Sequence, residues 1–216
     1  LSTEQKKVYL QMQEFALAML EKGELSTTQS VLTQIMRLQQ ICCGFLQPDE
    51  GDIQEIKNSR IEELLNVAEE TQGKVIIWAT WSYDIRRIED ALRKRYGNDS
   101  VASYYGKTDQ DDRQAIVDRF QDPSSSLRFF VGQPRTGGYG ITLTEANTVV
   151  YFSNSYDLEI RLQSEDRAHR IGQQKSVTYI DFVCPNTIDE KILQALRDKI
   201  NLAGTVLRED VAGWLA

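Results

Sequence analysis

Histidine, cysteine and proline are scarce in this chain of 216 residues, which holds one histidine, three cysteines and four prolines. A lone His169 and no cysteine pair at zinc spacing leave no ligand set for a structural zinc ion, so no metal site is expected. Cys42 and Cys43 are adjacent and make poor disulfide partners. With Cys184 they read as buried free thiols in a reducing, intracellular setting. Long apolar runs are also lacking. The run at 75–79 falls far short of the ~20 residues of a membrane span, so no membrane partner is expected. The opening Leu-Ser-Thr-Glu-Gln has neither an initiating Met nor an apolar signal core, and reads as a segment of a longer polypeptide. Positive charge is short as well. A net charge of −7 argues against a general nucleic-acid coat. It leaves room for a local track, because phosphate contacts need only a few Lys, Arg or backbone N–H groups.

What remains is ordinary for a globular chain: 41% apolar and 26% charged residues. Residues 3–43 have the spacing of two helices. The second carries Val31, Leu32, Ile35, Leu38, Ile41 and Cys42 on one face, with Ser26-Thr-Thr-Gln29 as a candidate capping box. Residues 44–57 read as a loop, and a further amphipathic helix follows Ser59. From Lys74 the pattern changes to strands alternating with helices. Strands are expected at 75–79, 101–105, 127–131, 148–152 and 177–183. Helices are expected after the first strand, at 109–120, at 157–170, and from Thr187-Ile-Asp-Glu190 to about 199. This order predicts an α/β fold, a mostly parallel sheet with helices on both faces, preceded by a helical segment. The expected divisions are a lead-in at 1–57, a lobe at 58–200 and a tail at 201–216. In such sheets ligands gather at the carboxyl ends of the strands.

Four segments carry candidate chemistry. In Gln163-Ser-Glu-Asp-Arg-Ala-His-Arg-Ile-Gly-Gln173, a helix places Gln163, Arg167 and Arg170 within roughly 60° of arc. Two guanidinium forks and an amide suit a polyphosphate held from one side. The same spacing also fits a solvated face laced with Glu165 and Asp166 ion pairs. His169 points roughly 120–130° away and reads as structural. Arg135-Thr-Gly-Gly-Tyr-Gly-Ile-Thr-Leu143 follows the third strand, where three glycines let backbone N–H groups approach an anion or simply make a turn. Tyr105-Gly-Lys-Thr-Asp-Gln-Asp-Asp-Arg113 offers Gly106, Lys107 and a helix N-terminus to a phosphate, or an ordinary strand-to-helix turn. Trp78-Ala-Thr-Trp-Ser82 closes the first strand. Trp81 and Ser82 are candidates for a nucleic-acid backbone, and Trp78 for the core.

Taken in this order, the four segments resemble the C-terminal, second RecA-like lobe of the Swi/Snf-type ATPases of helicase superfamily 2, over about 35–199. Residues 74–82 resemble motif IV, 136–143 motif V and 163–173 motif VI. The Asp-Arg-Ala-His-Arg-Ile-Gly-Gln run is highly specific to the group. The resemblance implies a P-loop-NTPase-type fold in which Arg167 and Arg170 are arginine fingers for ATP, and Gln163, Gly138 and Gly140 line the nucleotide. It implies that Trp81, Ser82, Gly106, Lys107, Arg135, Thr136 and Gly137 grip duplex DNA. It further implies that ATP and Mg²⁺ are held mainly by a first RecA-like lobe of the same polypeptide, in an intracellular monomer (nuclear if eukaryotic). The chain has no Gly-x-x-x-x-Gly-Lys-Ser/Thr cradle and no Asp-Glu-x-His, so on its own it is expected to be inactive. It departs from the family at Phe152-Ser-Asn-Ser-Tyr-Asp157, where a Trp-Asn-Pro is usual, and at Thr142, where Asn is frequent. A non-catalytic nucleic-acid- or protein-binding module, or an RNA helicase lobe, are the alternatives.

Overall fold

The computed structural model describes residues 1–25, 27–136, 140–170, 176–198 and 214–215. In chain order the elements are α1 (Thr3–Glu21), α2 (Thr28–Cys43), β1 (Phe45–Leu46), β2 (Gln54–Glu55), α3 (Arg60–Glu70), β3 (Lys74–Trp78), α4 (Ser82–Tyr96), a 3-10 turn (Asn98–Ser100), β4 (Val101–Tyr104), α5 (Gln110–Gln121), β5 (Phe129–Gly132), β6 (Ala146–Tyr151), α6 (Leu158–Ala168), β7 (Thr178–Asp181) and α7 (Ile188–Arg197). They form two compact units. One comprises 1–60, 156–158 and 183–216, the other 61–155 and 159–182.

The second unit is the α/β lobe. Its five strands lie in the order β4-β5-β3-β6-β7, and all four pairings are parallel. All five residues of β3 are buried, as expected of a strand covered on both faces. Side chains alternate between those faces. Val75, Ile77, Phe129, Val131 and Val150 pack with Leu64 and Ala68 of α3 and Ile85, Ile88 and Leu92 of α4. Ile76, Trp78, Phe130, Val149 and Tyr151 pack with Val117 and Phe120 of α5 and Ala168 of α6. Two helices therefore cover each face, and every strand's carboxyl end opens at the same edge of the sheet.

The first unit is mainly helical. The apolar face of α2 is buried together with Tyr9 and Ala16 of α1 and Ile188, Ile192, Ala195 and Leu196 of α7. The α2 cap is Thr27 with Ser30, one residue later than the spacing at Ser26 suggests; Ser26 itself lies outside the described residues. The helix stops at Gly44, whose φ of +90° suits glycine, and a Cβ there would strike the Asn58 side chain. Residues 44–57, read as a loop, contain the short antiparallel pair β1–β2. Helix α7, within the expected lobe at 58–200, groups by contact with the helical unit, where the Ile188 N–H donates to the Tyr9 hydroxyl at 2.8 Å.

Candidate functional site

At the carboxyl edge of the sheet, short polar residues tie neighbouring strand ends together. The Thr80 N–H donates to Ser153 Oγ at 2.8 Å, and Gln133 Nε2 donates to the Thr80 carbonyl at 3.0 Å. Gln133 in turn accepts from the Thr136 hydroxyl at 3.1 Å. The loops after β3, β5 and β6 are thereby joined in one network. Beside this network, Gly132 leaves no room for a side chain: a Cβ there would lie 2.8 Å from the Tyr104 carbonyl and 3.0 Å from the Trp78 ring. Gln133 and Gly132 were not singled out in the sequence, and Thr80 and Ser153 only as members of longer segments. The available signal was their position, since each ends a buried strand or lies within two residues of its end.

Helix α6 ends at Ala168, two residues before Arg170. Its last turn is closed by a tertiary bond in which the Leu143 N–H takes the Arg167 carbonyl at 2.9 Å. Gln163, Arg167 and Arg170 each have a different partner. Gln163 is exposed and donates along the helix to Glu159 at 2.9 Å. Arg167 is only 7% exposed. Its guanidinium carbon lies 5.1 Å from the Trp78 ring, and Nη1 donates to the Thr136 carbonyl at 3.3 Å. Burial draws its pKa down, against the pull of Tyr104 and Tyr151, yet an arginine stays charged here. Arg170 is exposed, and its Nη1 donates to Thr142 Oγ1 at 2.5 Å. The two arginines thus hold the glycine-rich segment at its two ends, Thr136 and Thr142. The two departures from the family pattern fall on bonded positions: Thr142 receives Arg170, and Ser153 and Asn154 are buried and hydrogen-bonded.

The other candidates lie along the same edge. Trp81 is the N-cap of α4 and Ser82 its first residue, both half-buried. Gly106 and Lys107 are exposed after β4. Lys107 borders an open groove of about 600 Å³ that is lined by charges of both signs, among them Glu89, Asp109, Asp112, Arg93 and Arg119. Arg135 is exposed and Thr136 half-buried. Gly140 is exposed with φ +108°, whereas Gly137 and Gly138 lie outside the described residues. Trp78 is fully buried, as its place in the first strand suggested. A second network braces the base of α6. Arg161 lies 3.5 Å from the Tyr151 ring and donates to Glu165, Asn154 and Asp181. No helix among the described residues is long and apolar enough to cross a membrane.

Residues 56–172 match the family described as helicase conserved C-terminal domain. An uncharacterized ATP-dependent helicase of Mycoplasma genitalium is 28% identical over 214 residues, 98% of this chain and 20% of that protein. The ISWI chromatin-remodeling complex ATPase ISW1 of Saccharomyces cerevisiae is 33% identical over 150 residues, 69% of this chain and 13% of that protein. Among solved structures, the Sulfolobus solfataricus SWI2/SNF2 ATPase core in complex with dsDNA is 24% identical with a TM-score of 0.70, covering 100% of this chain and 45% of that one. The chain thus spans a fifth or less of the length of these two curated relatives. The match over 56–172 shows the family and the relatives its type: the chain belongs to the helicase conserved C-terminal domain family, as a C-terminal helicase lobe of the Swi/Snf type.

Proposed function

We propose that this chain is the second motor lobe of an ATP-dependent translocase on duplex DNA, presenting Arg167 and Arg170 to a nucleotide held by a first lobe of the same polypeptide. One observation supports this reading most: both arginines are bonded to the glycine-rich segment, Arg167 at Thr136 and Arg170 at Thr142. When bound, ATP with Mg²⁺ supplies the phosphoanhydride bond that is cleaved, and this chain supplies positive charge and positioning.

Arg170 is exposed and its partner is a neutral hydroxyl, so an anionic oxygen outcompetes Thr142 for it, charge-assisted bonds being roughly twice as strong as neutral ones. Arg167 leaves a carbonyl and an aromatic face by the same preference. Each departure unties one end of the segment whose Arg135, Thr136 and Gly137 face DNA in this proposal, with Trp81, Ser82, Gly106 and Lys107 on the neighbouring loops. Phosphate contact is thus coupled to the DNA grip through two side chains. Gln163, Gly138 and Gly140 complete the nucleotide-facing side.

A second reading, a lobe that binds without turnover, is favoured by the burial of Arg167 and by Gln163 being engaged with Glu159. The test is ATPase activity of the two-lobe protein with duplex DNA, single-stranded DNA or RNA added. The proposal expects turnover stimulated most by duplex DNA, and negligible turnover from this chain alone. Greatest stimulation by RNA would make it an RNA helicase lobe, and no turnover with any nucleic acid would support the binding module.

A further inference from the structure

Within the helical unit, three sulfur atoms and one buried ion pair lie close together. Cys42 and Cys43 end α2, and Cys184 precedes α7 by three residues before its Thr187 cap. The ligand atoms of Cys42, Cys184 and Asp189 all lie within 4.8 Å of one another. Arg60 Nη1 lies 3.9 Å from Cys184 Sγ, 3.7 Å from Cys43 Sγ and 2.9 Å from the Cys42 carbonyl. Cys184 is held by its own backbone: its N–H donates to Asp189 Oδ2 at 3.2 Å and its carbonyl accepts from Thr187 Oγ1 at 2.7 Å.

A metal ion does not suit this spot. Both terminal nitrogens of Arg60 donate to the one Asp189 oxygen, at 3.2 and 3.1 Å, so a cation bound there would face a guanidinium among its own ligands. The same positive charge suits thiolate chemistry. Exposure then separates the roles: Cys184 is partly exposed, whereas Cys42 is 1% exposed. An oxidant reaches the first and not the second.

We propose that Cys184 is an oxidant-sensitive thiol that reacts with a hydroperoxide, and that Cys42 resolves it as a disulfide. The Cys184 thiolate attacks the O–O bond, forming an S–O bond and releasing water or an alcohol once the leaving oxygen takes a proton. Cys42 sulfur then displaces the hydroxyl of the Cys184 sulfenic acid. The S–S bond forms, and the hydroxyl leaves as water with the Cys42 proton. Two thiols lose two electrons and the peroxide gains two. The sulfurs must close from within 4.8 Å to about 2.05 Å. The thiols are also poised in opposite directions. The neighbouring Cys42 thiol and then the Arg60 charge hold Cys184 below the ordinary thiol range, whereas burial raises Cys42. The product fastens the end of α2 to the start of α7, 142 residues away.

The test treats the folded chain with hydrogen peroxide, blocks the remaining thiols by alkylation and maps the peptides. The proposal expects a peptide pair linked through Cys42 and Cys184, a mass lower by two hydrogen atoms, and alkylated Cys43. Cys43→Ser keeps the link. Cys42→Ser loses it and leaves a Cys184 sulfenic acid that dimedone captures. The proposal is overturned if wild-type protein, folded by circular dichroism, forms no such link, or if Cys42→Ser still forms a disulfide through Cys43.

Discussion

The Arg167 guanidinium lies 5.1 Å from the Trp78 ring while Nη1 donates to the Thr136 carbonyl at 3.3 Å. One side chain of α6 therefore joins the end of β3 to the loop after β5. Trp78 is fully buried among Phe130, Tyr151 and Ala168. Trp78→Ala is expected to cost about 3–5 kcal/mol through the lost ring and the cavity left behind. Trp78→Phe, which keeps an aromatic face for Arg167, is expected to cost clearly less. Urea midpoints of the purified chain check both.

Gly132 and Gly106 make a matched pair. A Cβ at Gly132 meets a backbone carbonyl at 2.8 Å, whereas nothing lies within 4 Å of one at Gly106. Gly132→Ala is expected to destabilise the lobe by about 1–3 kcal/mol, as overpacking does. Gly106→Ala is expected to stay within about 0.5 kcal/mol of the parent, as surface changes usually do. Equal denaturation midpoints for the two variants would refute the close-approach argument.

Arg60 and Asp189 form a buried ion pair at 3.1 Å with side chains 6% and 5% exposed. Arg60→Met leaves the carboxylate buried and is expected to cost about 3–5 kcal/mol. The double variant Arg60→Met with Asp189→Leu is expected to recover much of that loss. Chemical denaturation of the two variants measures the difference.

The fold was largely legible because burial on both faces writes itself into sequence. Lys74–Trp78 is apolar after its first residue and Ala146–Tyr151 is apolar over Val149–Tyr151, and each lies within about two residues of its expected position. Non-local bonds were not legible. His169 and Arg170 carry no helix-breaking signal, and α6 stops because Leu143, 24 residues earlier in sequence than Arg167, takes that residue's carbonyl. Likewise nothing near Arg167 announces that Trp78 will cover it. Helix α7 meets its unit through residues as distant in sequence as Tyr9, 179 residues from Ile188. The motifs lie in the loops at the carboxyl edge of the sheet, and tertiary bonds decide which of their residues are exposed.

Lys107 is exposed after β4, on a groove lined by charges of both signs. If it contacts a phosphate, Lys107→Ala weakens duplex-DNA binding by the two-lobe protein uniformly across sequences. It also lowers the slope of log affinity against log salt by about 1. Fluorescence anisotropy titrations at several salt concentrations check this, and an unchanged slope removes Lys107 from the DNA-facing set.

The most direct measurement is kcat for DNA-stimulated ATP hydrolysis by the two-lobe protein carrying Arg170→Ala or Arg167→Ala, each confirmed to be folded. Arginine fingers contribute about 10³–10⁵ in rate, and the account predicts a drop of at least about 10²-fold in each. Turnover at the parent rate in both folded variants would contradict it.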